Sequence, residues 1–402
     1  MATLRITLLA FGVFVALTIS EISLRCFIAQ RTPAELKRNY PPMFEESAVF
    51  PYRLRKSFSG RLTTKEFDTS IRINSQGYRG AEVSPPGERV RVLALGDSFT
   101  FGWGVNEEDA YPRRLEAYLR SEFPDQDVEV INGGFAGGYS PDTYYLYLKT
   151  EGLETRPDLI IVGFFIGNDI DHPMGMEDEW REVDASGFPL AIRSRYFEVV
   201  DNLWVSKMVP LRYRIPVLSR SHVFQAAVDS FARVTSIVAE LAKRDQVSET
   251  SPFVDERPSI PYIYQEVYPE RTEVAVRKVQ RLFIEMTRLA NERGIPIVFA
   301  MLPPREQVHE APFDKSQGQL DKPQVIFSRF FQEHEIAYID LLKRFREEGS
   351  GKELYYPIDL HWNRDGNALA AELIAEYIKA HYAIAAPSTE TPLSAAFKRT
   401  RE

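Results

Sequence analysis

Five short apolar runs recur along the chain, each closed by glycine, proline or amide residues and separated from the next by a stretch of helical periodicity. The runs lie near residues 90–95, 128–131, 158–165, 296–301 and 336–339, and the helical stretches near 109–122, 141–152, 272–293, 322–334 and 364–381. Continuous rather than alternating apolar character predicts strands buried on both faces. Regular alternation of such strands with helices predicts a parallel sheet covered on both sides.

Five strands suit a flavodoxin-like order, so the predicted fold class is α/β, a three-layer sandwich with a five-stranded parallel sheet. In that arrangement the strand ends that matter chemically all fall on the carboxyl edge of the sheet. The pattern breaks between residues 171 and 270, where about a hundred residues include the helix-like SHVFQAAVDSFARVTSIVAELAKR. This is read as a helical insertion that overhangs the sheet edge as a cap, and the periodicity of Val223, Ala227, Phe231 and Val234 is read as a packing face.

Two segments precede the sheet. Residues 6–20, ITLLAFGVFVALTIS, carry no charge and suit either a signal-peptide core or, continued through Phe27 and Ile28, a membrane-spanning helix. Residues 1–30 are therefore assigned to an anchor or signal segment, with the remainder of the chain on the periplasmic or extracellular side. Residues 31–89 form an extension with one alternating strand, FDTSIRIN. It ends in NSQGYRG, read as a hairpin arm packed on the core. Residues 90–385 form the main domain and 386–402 a flexible tail.

Composition narrows the function class. The 402 residues are 44% apolar and 26% charged, with a formal charge of −8, and no basic patch speaks for a nucleic-acid partner. A single cysteine excludes an intramolecular disulfide.

The chemistry gathers where strands end. LALGDSFTFGWGV places Ser98 at the exit of the first apolar run, where a nucleophile is exposed, rigid and surrounded by free backbone N–H groups. Near the far end, in YYPIDLHWNRDG, Asp359 and His361 stand just before a long amphipathic helix. The carboxylate can take the proton of one ring nitrogen and leave the other nitrogen for a serine. The other five histidines, at positions 172, 222, 309, 334 and 381, sit in polar or helical settings. VEVINGG and DLIIVGFFIGND end in glycine and amide residues, so a backbone N–H from the glycine pair and the side chain of Asn168 could meet one developing negative charge.

Together these four segments resemble the SGNH family of serine hydrolases, also called GDSL esterases, over roughly residues 89–382. The resemblance implies Ser98 as nucleophile, His361 as general base and then acid, and Asp359 as the group that fixes the imidazole. It also implies an oxyanion hole built from the N–H groups of Ser98 and Gly134 with the amide of Asn168. Two spacings depart from the family pattern: Gly167 adjoins Asn168 directly, and one residue rather than two separates Asp359 from His361. The shorter spacing is similar to that of members acting on cell-envelope polysaccharides.

The implied reaction is ester hydrolysis through an acyl-serine, with a short acyl group on an envelope glycan as the expected substrate. Transfer of the acyl group to a sugar hydroxyl is the alternative, and a tethered glycan-binding protein without catalysis a third. No cofactor or metal is implied. Arg305, at the end of the fourth apolar run, is expected at the rim of the site, where it could meet an anionic or sugar substrate but is assigned first to a rim salt bridge. Trp103 and Trp362 are expected either to stack on a sugar or to cover the triad.

Overall fold

The computed structural model describes residues 2–27, 40–170, 180–194, 197–207, 215–228, 230–231, 261–309, 319–384 and 397–399. Five parallel strands form its centre: β1 (Val90–Gly96), β2 (Val128–Gly134), β3 (Leu159–Phe165), β4 (Ile297–Leu302) and β5 (Ala337–Asp340). Their order across the sheet is β5-β4-β3-β1-β2, with every neighbouring pair parallel. The chain leaves β1 toward β2 and then returns past it to β3, so the switch point of this flavodoxin-like order lies between β1 and β3.

All seven residues of β1 and all six of β4 are buried, which explains their unbroken apolar character. Alternate residues feed two separate layers. On one face Val92, Ile161, Val298 and Ala300 pack with residues of α1 (Tyr111–Glu122). On the other, Phe164 and Phe299 meet Phe283 of a helix over Glu270–Asn291, with ring centroids 5.0 and 4.5 Å apart. Each fully buried ring of this kind contributes about 1.5–3 kcal/mol relative to exposure.

In chain order the other helices that cover the sheet are α2 (Pro141–Thr150), α3 (the Glu270–Asn291 helix), α4 (Lys322–Glu333), α5 (Leu342–Gly349) and α6 (Arg364–His381). Helices α5 and α6 join α1 through Phe345, Leu369 and Ile374, while Phe327 and Phe331 of α4 lie against Phe164 and Phe299. Asn363 starts α6 by accepting hydrogen bonds from the N–H groups of Asp365 and Gly366 at 2.8 and 3.1 Å. The outer edge of β2 is protected: Val130 N–H donates to Glu116 and Arg120 donates to the Val128 carbonyl, both from α1.

The insertion differs from its helical expectation in its first described part. Residues Trp180–Val183 pair with Pro189–Ile192, and Phe197–Val200 with Leu203–Ser206, so that part holds two β-hairpins. The first hairpin is fixed to α2 and α3: Asp184 pairs with Lys149 at 2.9 Å, and Phe188 lies 5.1 Å from Tyr145 and under Arg281. Residues 171–179, 208–214 and 232–260 lie outside the described set, and with them nearly half of the segment read as a cap. In the tail, taken as flexible, Phe397–Arg399 pairs antiparallel with Tyr382–Ile384.

The chain divides into two compact units, Pro42–Val205 with Pro258–Glu402, and Met1–Pro41 with Ser206–Arg257. The second holds a helix over Ala2–Phe27 that is long and apolar enough to cross a membrane. Near its end Glu21 accepts from Ser221 Oγ and from the N–H groups of His222 and Val223 at 2.9–3.0 Å. Glu21 thereby caps the start of a short helical run from His222.

Candidate active site

Strand β1 stops at Gly96 because Asp97 turns the chain into a short helix, Ser98–Phe101. The carboxylate of Asp97 accepts from Phe99 N–H at 2.9 Å as an N-cap. The turn lies directly over the end of β2, where a Cβ on Gly134 would stand 2.1 Å from the Phe101 nitrogen, so only glycine permits the approach. Ser98 is 7% exposed and opens this helix, so its N–H has no acceptor within it.

Although 263 positions separate them in sequence, Ser98 Oγ is 2.7 Å from His361 Nε2. The other ring nitrogen, Nδ1, is 2.6 Å from Asp359 Oδ1. An ionised carboxylate only accepts, so Nδ1 carries the proton and Nε2 presents its lone pair to the serine hydroxyl. Phe99 flanks the imidazole at 4.9 Å and Trp103 at 6.3 Å between ring centroids. The structure thus brings together the three residues that the sequence placed at the exit of the first apolar run and just before the last helix.

Asn168 occupies the turn after β3. Its Nδ2 lies 3.4 Å from Asp97 Oδ2, and its Oδ1 is enclosed without a hydrogen-bond partner. Asp169 beside it is fully buried and accepts from Phe165 N–H at 2.9 Å and Tyr144 OH at 3.0 Å. Burial pushes the Asp97 carboxyl up to about 6, against the lowering influence of Phe99 N–H, His361 and Asn168. Burial together with the charge of Asp97 pushes Asp169 up as well. Two carboxyls thus lie beneath the site in surroundings that resist full ionisation.

Two of the sequence expectations, at Gly134 and Trp362, need correction. The N–H of Gly134 donates to Asn132 Oδ1 at 3.0 Å, so it is engaged within the strand end rather than offered to an oxyanion; the residue serves the close packing of the turn. Trp362 is 1% exposed and packs 5.0 Å from Phe99 and 5.1 Å from Phe345. It belongs to the core beneath His361 and presents no face to a sugar. Arg305 is paired with Glu353 at 3.3 Å, the rim salt bridge that the sequence favoured over a substrate contact. Trp103 alone of the three proposed contact residues is partly exposed near the imidazole.

Sequence reasoning missed Glu66. Its carboxylate accepts from the N–H groups of Ile358 and Asp359 at 2.9 and 2.7 Å, a contact across almost three hundred residues that leaves no local trace. Among the described residues no group of three or more histidine, cysteine or acidic side chains is arranged to hold a metal ion.

Residues 262–400 match the model of a family described as the SGNH hydrolase-like domain of the acetyltransferase AlgX. The matched segment contains Asp359 and His361. A comparison with curated protein sequences gives no match. Among solved structures, a gut microbial diltiazem-metabolizing enzyme is 13% identical with a TM-score of 0.37. That match covers 75% of this chain and 49% of the enzyme, so the chain spans about half of the enzyme's length. A member of the lipolytic G-D-S-L family from Veillonella parvula is 12% identical over 71% of this chain and 96% of its own, with a TM-score of 0.37. A catalytic mutant of the acetylxylan esterase Axe2 from Geobacillus stearothermophilus is 14% identical over 73% and 95%, also with a TM-score of 0.37.

Proposed function

We propose that this chain, which carries an SGNH hydrolase-like domain, is a serine esterase that works through an acyl-serine intermediate. The observation that carries the reading is the hydrogen-bonded line from Asp359 through His361 to Ser98, at 2.6 and 2.7 Å. In the first step Ser98 Oγ bonds to the ester carbonyl carbon while its proton passes to His361 Nε2. Asp359 stabilises the imidazolium that forms. The oxyanion is held by the N–H of Ser98 and the Nδ2 of Asn168. Collapse breaks the bond to the leaving alcohol, which takes the proton from His361. A water then repeats the sequence on the acyl-serine, with His361 as base, releasing the acid and restoring Ser98.

A second reading is favoured by the family match, whose description names an acetyltransferase. A sugar hydroxyl in place of the water would accept the acyl group and make the enzyme an O-acyltransferase on the same residues. The substrate proposed is a short acyl ester, acetyl foremost, on a cell-envelope glycan. The apolar helix Leu4–Phe27 supports an N-terminal anchor, with the catalytic residues on the periplasmic or extracellular side.

A fluorophosphonate probe applied to the full chain tests the nucleophile. Wild type is expected to label and Ser98→Ala not to. Labelling of Ser98→Ala would move the nucleophile to another residue, and no labelling of wild type would leave the glycan-binding alternative. Acetate release from an acetylated polysaccharide, measured with and without an added acceptor glycan, separates hydrolysis from transfer.

A further inference from the structure

The loop that carries Asp359 has little packing to hold it. Ile358 is 73% exposed and Leu360 50%, and Leu360 sits at φ +69°, a backbone conformation that side chains with a Cβ avoid. Such a residue persists only where its surroundings over-determine it. Within the loop Tyr356 N–H donates to His361 O at 2.8 Å and Leu360 N–H to Tyr356 O at 3.0 Å, and the further restraints on Ile358 and Asp359 are polar and come from the N-terminal extension.

Glu66 lies in the turn between the strands Ser59–Thr63 and Asp68–Arg72. That turn is itself closed, because Thr64 Oγ1 accepts from the N–H groups of Glu66 and Phe67 at 3.1 and 3.2 Å. From this base one carboxylate oxygen takes Ile358 N–H at 2.9 Å and the other takes Asp359 N–H at 2.7 Å. Two consecutive amides on one planar, charged acceptor fix both the position and the rotation of the peptide, and charge-assisted bonds are about twice as strong as neutral ones. Beside it Phe67 lies 5.0 Å from the ring of Tyr356, whose hydroxyl donates to Gly104 O at 2.8 Å.

The same extension grips the loop after Ser98. The buried guanidinium of Arg79 donates to the carbonyls of Phe101, Gly102 and Val105 at 2.5–2.7 Å. The hairpin that presents Glu66 is thus tied to the nucleophile's own loop.

We propose that Glu66 is a positioning residue that sets Asp359 against His361, and that residues 59–80 hold the two halves of the triad in register. The inference rests on the acyl-serine reading above. It goes beyond it by giving a catalytic purpose to a segment that carries none of the reacting groups.

The test is kinetics of the full chain with p-nitrophenyl acetate. Misplacing Asp359 by an ångström is expected to lower kcat about ten- to a hundredfold in Glu66→Ala, with KM within twofold and the melting temperature nearly unchanged. Glu66→Gln keeps one acceptor oxygen and is expected to recover part of the loss. The decisive measurement is a double-mutant cycle: in an Asp359→Ala background, Glu66→Ala is expected to cost nothing further, because it acts through Asp359. Multiplying losses, or a Glu66→Ala enzyme with wild-type kcat, would overturn the proposal while a fluorophosphonate-labelled wild type keeps the acyl-serine reading. An unlabelled wild type would remove both.

Discussion

The side-chain amide of Asn168 faces the carboxylate of Asp97 across 3.4 Å, with its own oxygen enclosed and unpartnered. At that length the bond is weak, and an amide nitrogen has two hydrogens. One is directed loosely by Asp97, and in the proposed mechanism the other serves the oxyanion. Asn168→Ala is expected to lower kcat by about a hundred- to a thousandfold, with little change in KM. Steady-state kinetics on p-nitrophenyl acetate check this. Equal losses in binding and turnover would mean that the amide contacts substrate in the ground state instead.

Asp97 gives the fold a pH dependence opposite in sign to that of a salt-bridged carboxylate. Burial raises its folded pKa to about 6 from an ordinary value near 3.8, so between those pH values the folded chain binds more protons than the unfolded one. Stability attributable to this group is therefore fully present below about pH 4 and is lost as pH rises through 6, by a few kcal/mol at most. Asp97→Asn keeps an N-cap side chain and removes the titration. Chemical denaturation of the two proteins at pH 4.5 and 7 is expected to show the variant gaining stability relative to wild type as pH rises. A constant difference would place the titration elsewhere.

The strands were legible because their signal is local. A run such as LIIVGFF is apolar throughout when helices cover both faces, and the amide and glycine that follow it end the run. Helix α5 was not legible, because its eight residues bury only Leu342 and Phe345, too few to set a period. The site was half legible. Ser98, Asp359 and His361 are marked by strand ends and spacing, whereas proximity in sequence misled at Trp362. That residue follows His361 but turns into the core while the imidazole turns outward. Gly134 misled for another reason: a glycine required by backbone packing looks in sequence like one that offers a donor. Glu66 carries no mark at all, since a glutamate in a polar turn is ordinary until the fold brings the Asp359 loop to it.

Gly134 should be intolerant of any side chain. A Cβ there would stand 2.1 Å from the Phe101 nitrogen and 2.5 Å from the Thr100 carbonyl carbon, both main-chain atoms that cannot swing aside. Gly134→Ala must therefore push the Ser98 turn off the strand or prevent folding. A loss of at least 3 kcal/mol is expected, as for other forced backbone or core rearrangements, on the order of the severe tail of point mutants. Thermal melting checks it. A melting temperature within about 2 °C of wild type would show that the turn can move, given the roughly 2–4 °C shift per kcal/mol of large domains.

Trp103 and Trp362 should separate function from stability. Trp362 fills the space between Phe99 and Phe345 beneath the imidazole, so Trp362→Ala is expected to cost about 3–5 kcal/mol through the cavity it leaves, and any loss of activity should follow the unfolded fraction. Trp103 is partly exposed and its ring lies 6.3 Å from that of His361, close enough for a bound sugar to rest on it. Trp103→Ala is expected to leave the melting temperature nearly unchanged and to raise KM for an acetylated oligosaccharide about three- to tenfold, the equivalent of one stacking contact of about 0.5–1.5 kcal/mol. KM for p-nitrophenyl acetate supplies the control that gives the comparison its meaning. A rise in both values would make Trp103 a wall of the acyl pocket, whereas a rise for the oligosaccharide alone would make it the surface on which the glycan lies.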